Sequence, residues 1–259
     1  MEQLNQKLIN NFIVDDCLNI LPQIEDETID LILTDPPYNI LNTNLVYFEN
    51  SKDFISLENE FLRILKPNGL LLTFASWQLW FSLFNKWKKL KFWYEMIIVR
   101  SNGFSMMYKK RPVNRHEYLL VFYKNKSDIF FNEREMGEYK KPYERGLHQG
   151  VNSNAHASSH KKGYHKNEDG FRKPTSILKM KTKNHFKQDE RTKHPTQKEI
   201  LLLEKLIKTY CPENGLVLDP FAGVGTVAIA CNRTNRNHIS IEIDQQWFQE
   251  YIKLKEKEG

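Results

Sequence analysis

Ile29-Asp30-Leu31-Ile32-Leu33-Thr34-Asp35-Pro36-Pro37-Tyr38 is the stretch from which the fold is read. Ile29 to Thr34 is a short apolar run and reads as a buried strand. A carboxylate, two rigid prolines and an aromatic ring follow directly. Ligands of open α/β sheets bind at the carboxyl ends of strands, so this tetrad is expected to line a crevice, not fill a core. That placement suits chemistry on a planar, amine-bearing ring. The same residues also make a plausible turn, because Pro fixes φ and drives the residue before it into extended geometry. What surrounds the tetrad therefore has to decide between the two readings.

Upstream, Phe12 to Val14 is a strand candidate ending at Asp15-Asp16-Cys17, with a brief helix near Leu18 to Leu21. Downstream lies an Asn-rich loop, 39 to 51, then apolar residues at helical spacing over Leu57 to Leu65, stopped by Lys66-Pro67-Asn68-Gly69. Gly69 to Phe74 is a second buried strand. Trp77 to Leu90 reads as an amphipathic helix, and Trp93 to Val99 and Tyr118 to Tyr123 as strands joined by a basic loop, Arg100 to Arg115. From about Asn132 to Glu190 the periodicity disappears. Order returns with Thr196 to Tyr210 (helix), Leu216 to Leu218 (strand), Thr226 to Cys231 (helix), His238 to Ile241 (strand) and Gln245 to Lys255 (helix). Alternating strands and helices predict an α/β, doubly wound, mostly parallel sheet.

Two hundred and fifty-nine residues suffice for a full core, and the length allows one large domain carrying an insertion. No run of 18 apolar residues occurs and residues 1 to 10 have no apolar leader, so neither a membrane span nor a signal peptide is expected and the chain reads as cytoplasmic. Cys17, Cys211 and Cys231 fit neither a disulfide framework nor a paired zinc motif and read as small core residues. Residues 132 to 198 hold 16 Lys+Arg against 8 Asp+Glu, whereas the rest of the chain holds 22 against 24. The entire positive excess thus sits in one segment, as expected of one that faces a polyanion such as nucleic acid. His148, His156, His160 and His165 lie there without a firm ligand spacing; hydrogen bonds to DNA suit them better than a metal, and no metal site is expected.

Leu216-Val217-Leu218-Asp219-Pro220-Phe221-Ala222-Gly223-Val224-Gly225-Thr226 is a strand, a glycine turn and a helix start. Gly223-x-Gly225-x-x-Ala228 satisfies a loose dinucleotide fingerprint, with Glu242 at the end of the next strand, where a carboxylate can bind ribose hydroxyls. Two readings compete: a nicotinamide oxidoreductase, or an enzyme whose adenosyl cofactor has no pyrophosphate. Asp219-Pro220-Phe221 ahead of the glycines favours the second. Here the chain resembles the amino-methyltransferases of DNA, which pair a D-P-F-x-G-x-G-T cofactor turn with a D-P-P-Y catalytic tetrad. His194-Pro195-Thr196-Gln197-Lys198 is similar to that family's H-P-T-Q-K helix start, and the order of tetrad, basic segment and cofactor turn resembles its β-type permutation. The resemblance covers residues 11 to 131 and 191 to 259, leaving 132 to 190 as an inserted target-recognition region. Only Arg172-Lys173-Pro174-Thr175-Ser176-Ile177 is similar to a pattern near the end of some such regions.

The resemblance implies a methyltransferase-type (Rossmann-like) fold, S-adenosylmethionine as cofactor and double-stranded DNA as partner. It also admits a homodimer and a cognate restriction endonuclease. Asp35, Pro36, Pro37 and Tyr38 become the catalytic tetrad. The Asp35 carboxylate and Pro36 carbonyl accept from the exocyclic amine, localising a lone pair otherwise shared with the ring. Tyr38 stacks on a base rotated out of the duplex, a contact of about 1–3 kcal/mol. Asp16 (with Asp15 a neighbouring contender) meets the cofactor's adenine and Glu242 its ribose. Asp35, Asp219 and the turn Phe221, Ala222, Gly223, Gly225 and Thr226 line the methionine part. Thr196, Gln197 and Lys198 offer a helix start to its carboxylate, with Thr196 alternatively a plain N-cap. Lys109, Lys110, Arg111, Arg115, Lys161, Lys162, Arg172 and Lys173 are the expected DNA contacts. Asp at the head of the tetrad favours adenine N6 in this family; cytosine N4 and a non-catalytic DNA-binding protein are the alternatives.

Overall fold

The computed structural model describes residues 7–37, 52–104, 110, 112–146 and 164–258. In chain order the elements are β1 (Asn11–Val14), α1 (Cys17–Ile20), β2 (Ile29–Thr34), α2 (Lys52–Ser56), α3 (Glu58–Ile64), β3 (Leu65–Ala75), α4 (Trp77–Lys86), β4 (Lys91–Phe104) and β5 (Asn114–Tyr123). Next come α5 (Glu133–Met136), the short strands β6 (Glu138–Tyr139), β7 (Tyr143–Gly146), β8 (Tyr164–Asn167) and β9 (Phe171–Arg172), and then β10 (Ile177–Met180). The chain closes with α6 (Ile200–Tyr210), β11 (Leu216–Asp219), α7 (Thr226–Arg233), β12 (Asn237–Glu242) and α8 (Gln245–Glu256).

Eight of these strands form one sheet in the order β1-β12-β11-β2-β3-β5-β4-β10. All neighbours are parallel except where β5 meets β3 and β4, so β5 alone runs against the rest. The apolar run of β2 lies at the centre of this sheet and is covered on both faces. Leu31 and Leu33 join Leu70, Leu72, Leu119, Val121 and Val217 in a core closed by α6, α7 and α8. Ile32 joins Leu71, Leu120, Phe122, Leu216 and Leu218 in a second core closed by α1 to α4. This is the period-2 alternation of a strand, with both faces apolar because both are buried. The doubly wound, mostly parallel sheet expected from the sequence is the sheet observed.

From β2 the chain steps one way, to β3; from β11 it steps the other, to β12. The strand order therefore reverses between β2 and β11, whose registers pair Val217 with Leu31 and Leu218 with Ile32. A crevice opens beyond the carboxyl ends of two strands that diverge in this way. The opposed direction of β5 brings its amino end to the same edge, since Tyr118 pairs with Ala75 at the end of β3.

Several boundaries differ from the sequence expectation. β3 starts at Leu65, fully buried and paired with Ile29, so Lys66-Pro67-Asn68-Gly69 is carried inside a strand with a register irregularity. The stretch 100–115 is not all loop: β4 continues to Phe104 and β5 begins at Asn114. The aperiodic stretch contains β10, an edge strand parallel to β4 in which Leu178 and Met180 point inward. Two inward residues in a four-residue strand are too few to register as a period. The stretch also begins with α5, capped by Asn132, whose Met136 enters the first core. Between them β6 pairs with β9 and β7 with β8 as antiparallel ribbons. Among the described residues no helix is long and apolar enough to cross a membrane. α4 buries Leu79 and Leu83 but leaves Trp77, Phe81 and Phe84, on another of its faces, exposed.

Candidate active site

β2 ends at Thr34 and delivers Asp35, half-buried, and Pro36, buried, to the crevice, while Pro37 is exposed. Tyr38 and the loop 39–51 lie outside the described residues. The tetrad and the glycine turn are tied directly: Thr34 Oγ1 donates to Asp219 Oδ1 at 2.8 Å, and the same oxygen accepts from the Phe221 backbone N–H at 3.2 Å. Asp219 is 3% exposed. Burial pushes its carboxyl up to about 7, against the two hydrogen bonds that favour the charged form.

The turn after β11 needs its glycines for steric reasons. Gly225 has φ +70°, and a Cβ there would stand 2.4 Å from the Tyr251 ring of α8. Gly223 has φ +52°, and a Cβ there would stand 3.3 Å from His194 Nε2. Both conditions exclude other side chains at little strain. Gly223 N–H donates to Glu242 Oε2 at 2.8 Å, and Asp244 N–H donates to Glu242 Oε1 at 3.0 Å. Burial raises the Glu242 carboxyl above the ordinary glutamate value. Next along the edge, Asp15 N–H donates to the Glu242 carbonyl at 3.1 Å. Asp16 caps α1 by accepting from Leu18 N–H, and Asp15 Oδ1 accepts from Asn19. Phe221 is half-buried, its ring 5.8 Å from that of Phe54; Ala222 and Thr226 are buried.

His194-Pro195-Thr196-Gln197-Lys198 requires a correction. α6 begins at Ile200, not at Thr196, and Thr196 is neither helical nor the N-cap, which is Glu199. Gln197, Lys198 and Glu199 are all buried, Gln197 bonded to the segment just before it and Lys198 and Glu199 to residues remote in sequence. Gln197 accepts from Thr192 N–H and hydroxyl and donates to the Glu190 carbonyl; Glu199 accepts from Lys181 N–H. Lys198 Nζ reaches Asp35 Oδ2 at 2.7 Å and Glu117 Oε2 at 3.2 Å, over the face of Phe74. Burial opposes its charge, yet the two carboxylates hold its proton more tightly than an ordinary lysine's. His194 packs edge-on to Trp247, and burial lowers its imidazole to about 4, so it is neutral at physiological pH.

The structure thus brings Asp35, Pro36, Lys198, Asp219, Glu242, Asp16 and the turn 221–226 to one sheet edge. Glu117 and His194 join them; Glu117 was missed because its place depends on the reversal of β5, which a local pattern does not reveal. Of the expected DNA contacts, Lys110 and Lys173 are exposed. Arg115 donates to the carbonyls of Arg100 and Ser101, and Arg172 to those of Gly170, Phe171 and Lys141, so both brace their own segments. Lys109, Arg111, Lys161 and Lys162 lie outside the described residues.

A doubly wound sheet in which the Asp35-Pro36-Pro37 strand end and a glycine turn meet at the switch point is the architecture of an α/β enzyme. The family model described as DNA methylase, which groups N6- and N4-methyltransferases, matches residues 29–253, and the chain belongs to that family. The Type II methyltransferase M.HpaI of Haemophilus parainfluenzae is 30% identical over 95% of this chain and 73% of its own length. M.HinfI of Haemophilus influenzae is 29% identical over 99% and 69%. In fold, the M1.HpyAVI–SAM complex matches with TM-score 0.65 at 23% identity, covering 95% of this chain and 98% of its own. The cytosine-N4-specific PvuII DNA methyltransferase matches with TM-score 0.66 at 15%, covering 94% and 85%. The protein is a DNA methyltransferase of the N6/N4 family, and the oxidoreductase and non-catalytic readings fall away.

Proposed function

We propose that the protein transfers a methyl group from S-adenosylmethionine to adenine N6 in double-stranded DNA, after the base has been rotated out of the duplex. The observation that carries the reading is the Thr34–Asp219 hydrogen bond, which holds the strand end that carries Asp35 and Pro36 against the glycine turn at the switch point. The donor set fits the cofactor. Glu242 is a half-buried acceptor whose two oxygens each take one backbone N–H and keep a further lone pair for a hydroxyl. The backbone from Phe221 to Gly225 can approach a ligand closely because two of its residues have no side chain. When bound, S-adenosylmethionine supplies an electrophilic sulfonium methyl.

The rest belongs to the chain. Adenine N6 is a weak nucleophile because its lone pair is delocalised into the ring. In the proposed mechanism the Asp35 carboxylate and the Pro36 carbonyl accept its hydrogens and favour the tetrahedral nitrogen on which positive charge develops. Lys198 holds Asp35 in place, and Pro36 and Pro37 fix the direction in which the carbonyl points. Tyr38 is proposed as the stacking surface. Holding donor and acceptor in line removes at best about 7–11 kcal/mol of entropic barrier.

Adenine is preferred over cytosine because the tetrad opens with Asp. Digestion of methylated DNA to nucleosides and identification of the modified base by mass spectrometry is expected to give N6-methyladenine; N4-methylcytosine alone would overturn the assignment. Residues 132 to 190, with their positive excess, are proposed to read the target sequence, and Lys110 and Lys173 to meet phosphates. A homodimer and a cognate endonuclease are proposals that follow from the family.

A further inference from the structure

Three elements that are remote in sequence converge on the Lys198 ammonium. The end of β2 supplies Asp35, the amino end of β5 supplies Glu117, and the buried approach to α6 supplies the lysine. Neutralising Asp35 would take Lys198 alone. Adding Glu117 leaves two carboxylates on one cation, and among the described residues it also leaves Glu117 Oε1 buried with no hydrogen-bond partner. Among buried groups both features are unfavourable, since an unmet acceptor forfeits its hydration without replacement. A contact of that kind calls for a role beyond holding the fold together.

The role follows from how a carboxylate is shared. An ammonium drawn wholly onto one carboxylate weakens every other hydrogen bond which that carboxylate accepts, because its negative charge is already neutralised at short range. A second carboxylate on the far side of the ammonium divides the cation between the two. Nζ meets Asp35 through Oδ2 and Glu117 through Oε2, and the Phe74 ring, 4.6 Å away, lies against the ammonium as well. Asp15, Asp16, Lys183, His194, Asp219, Glu242 and Asp244 also lie along this edge; His194 is neutral, and Asp219 and Glu242 shift toward protonation.

We propose that Glu117 is a positioning residue for methyl transfer: by sharing the Lys198 ammonium it fixes the Asp35 carboxylate in orientation and keeps it a strong acceptor for the amino group of the target base. This rests on the reading of Asp35 given above.

The test uses the full chain, unmethylated phage DNA and tritiated S-adenosylmethionine, with kcat and both KM values measured. Glu117→Gln keeps the shape of the side chain and removes its charge. It is expected to lower kcat roughly 10- to 100-fold with both KM values within about threefold of the unsubstituted protein, the signature of an interaction made in the transition state. Glu117→Asp keeps the charge on a shorter arm and is expected to recover part of the loss, while a thermal midpoint close to the parent's shows that the fold is intact. An unchanged kcat in Glu117→Gln, or a loss that tracks KM or the thermal midpoint instead, overturns the inference. If Glu117→Gln does not fold, Glu117→Asp decides alone: full activity supports a charge role, and an Asp variant with intact midpoint but no more activity than Asp35→Ala overturns it. Asp35→Ala is run alongside. Transfer that survives it would remove the reading of Asp35 itself, whereas an inactive Asp35→Ala beside a fully active Glu117→Gln removes only the role of Glu117.

Discussion

Asp35-Pro36 and Asp219-Pro220 are the same dipeptide at the ends of adjacent parallel strands, and the fold treats their carboxylates in opposite ways. Asp35 is half-buried and meets an ammonium at 2.7 Å. Among the described residues Asp219 is buried and meets only a hydroxyl and a backbone N–H, so burial dominates and pushes its carboxyl up to about 7. One Asp-Pro holds charge at the mouth of the crevice; the other is a neutral-leaning anchor beneath it. A dipeptide in the sequence specifies a strand end and a carboxylate, but the partner across the sheet decides what the carboxylate does.

The sharpest way to break this comparison is to remove the charged member. Asp35→Ala is expected to lower transfer by at least about 10²–10³-fold while S-adenosylmethionine affinity changes by less than about threefold. Labelled-methyl transfer and calorimetry measure the two quantities, and an equal loss in both would make Asp35 a binding residue only. Removing the cation comes next. Lys198→Met strands two carboxylates against each other and is expected to cost about 3–5 kcal/mol of stability in urea unfolding; a loss below about 1 kcal/mol would mean that the ion pair is solvated and idle.

The smallest effect falls on the neutral-leaning member and has the opposite sign. The folded state holds the Asp219 proton up to about 7, whereas an ordinary aspartate loses it near 3.8. Between those values the folded protein binds more protons than the unfolded chain, so stability falls as pH rises through that window. Asp219→Asn keeps an acceptor for Thr34 and Phe221 and removes the titration. Its stability is expected to lose that share of pH dependence between pH 4 and 7, and to exceed the parent's at pH 7 by on the order of 2–4 kcal/mol. Thermal unfolding across this range checks it, and parallel curves for the two proteins would contradict it.

Much of this was legible beforehand, and the reasons are local. The run Ile29 to Thr34 and the turn at Gly223 and Gly225 carry their meaning in composition and steric need, so β2, β11 and the start of α7 lie where expected. β10 was not legible, because Leu178 and Met180 are too few to make a period. The start of α6 lies four residues later than Thr196, which looks like a cap, because the buried side chains of Gln197, Lys198 and Glu199 are placed by bonds to the preceding segment, to Asp35 and to Lys181, which no local pattern shows. The hydrogen bonds of Arg115 and Arg172 to nearby carbonyls were equally invisible, since they depend on strand pairing that a local pattern does not show.

By itself the sequence determined which segments are buried, where the acidic strand ends and the glycine turn fall, and that the positive excess is confined to 132 to 198. Those are properties of short windows, set by burial and by the φ values each residue tolerates. Only the tertiary structure decided that β5 runs backwards, so that Glu117 meets Lys198 and Lys198 meets Asp35. Ion pairing depends on distance in space, and residues separated by scores of positions become neighbours only when the sheet is assembled.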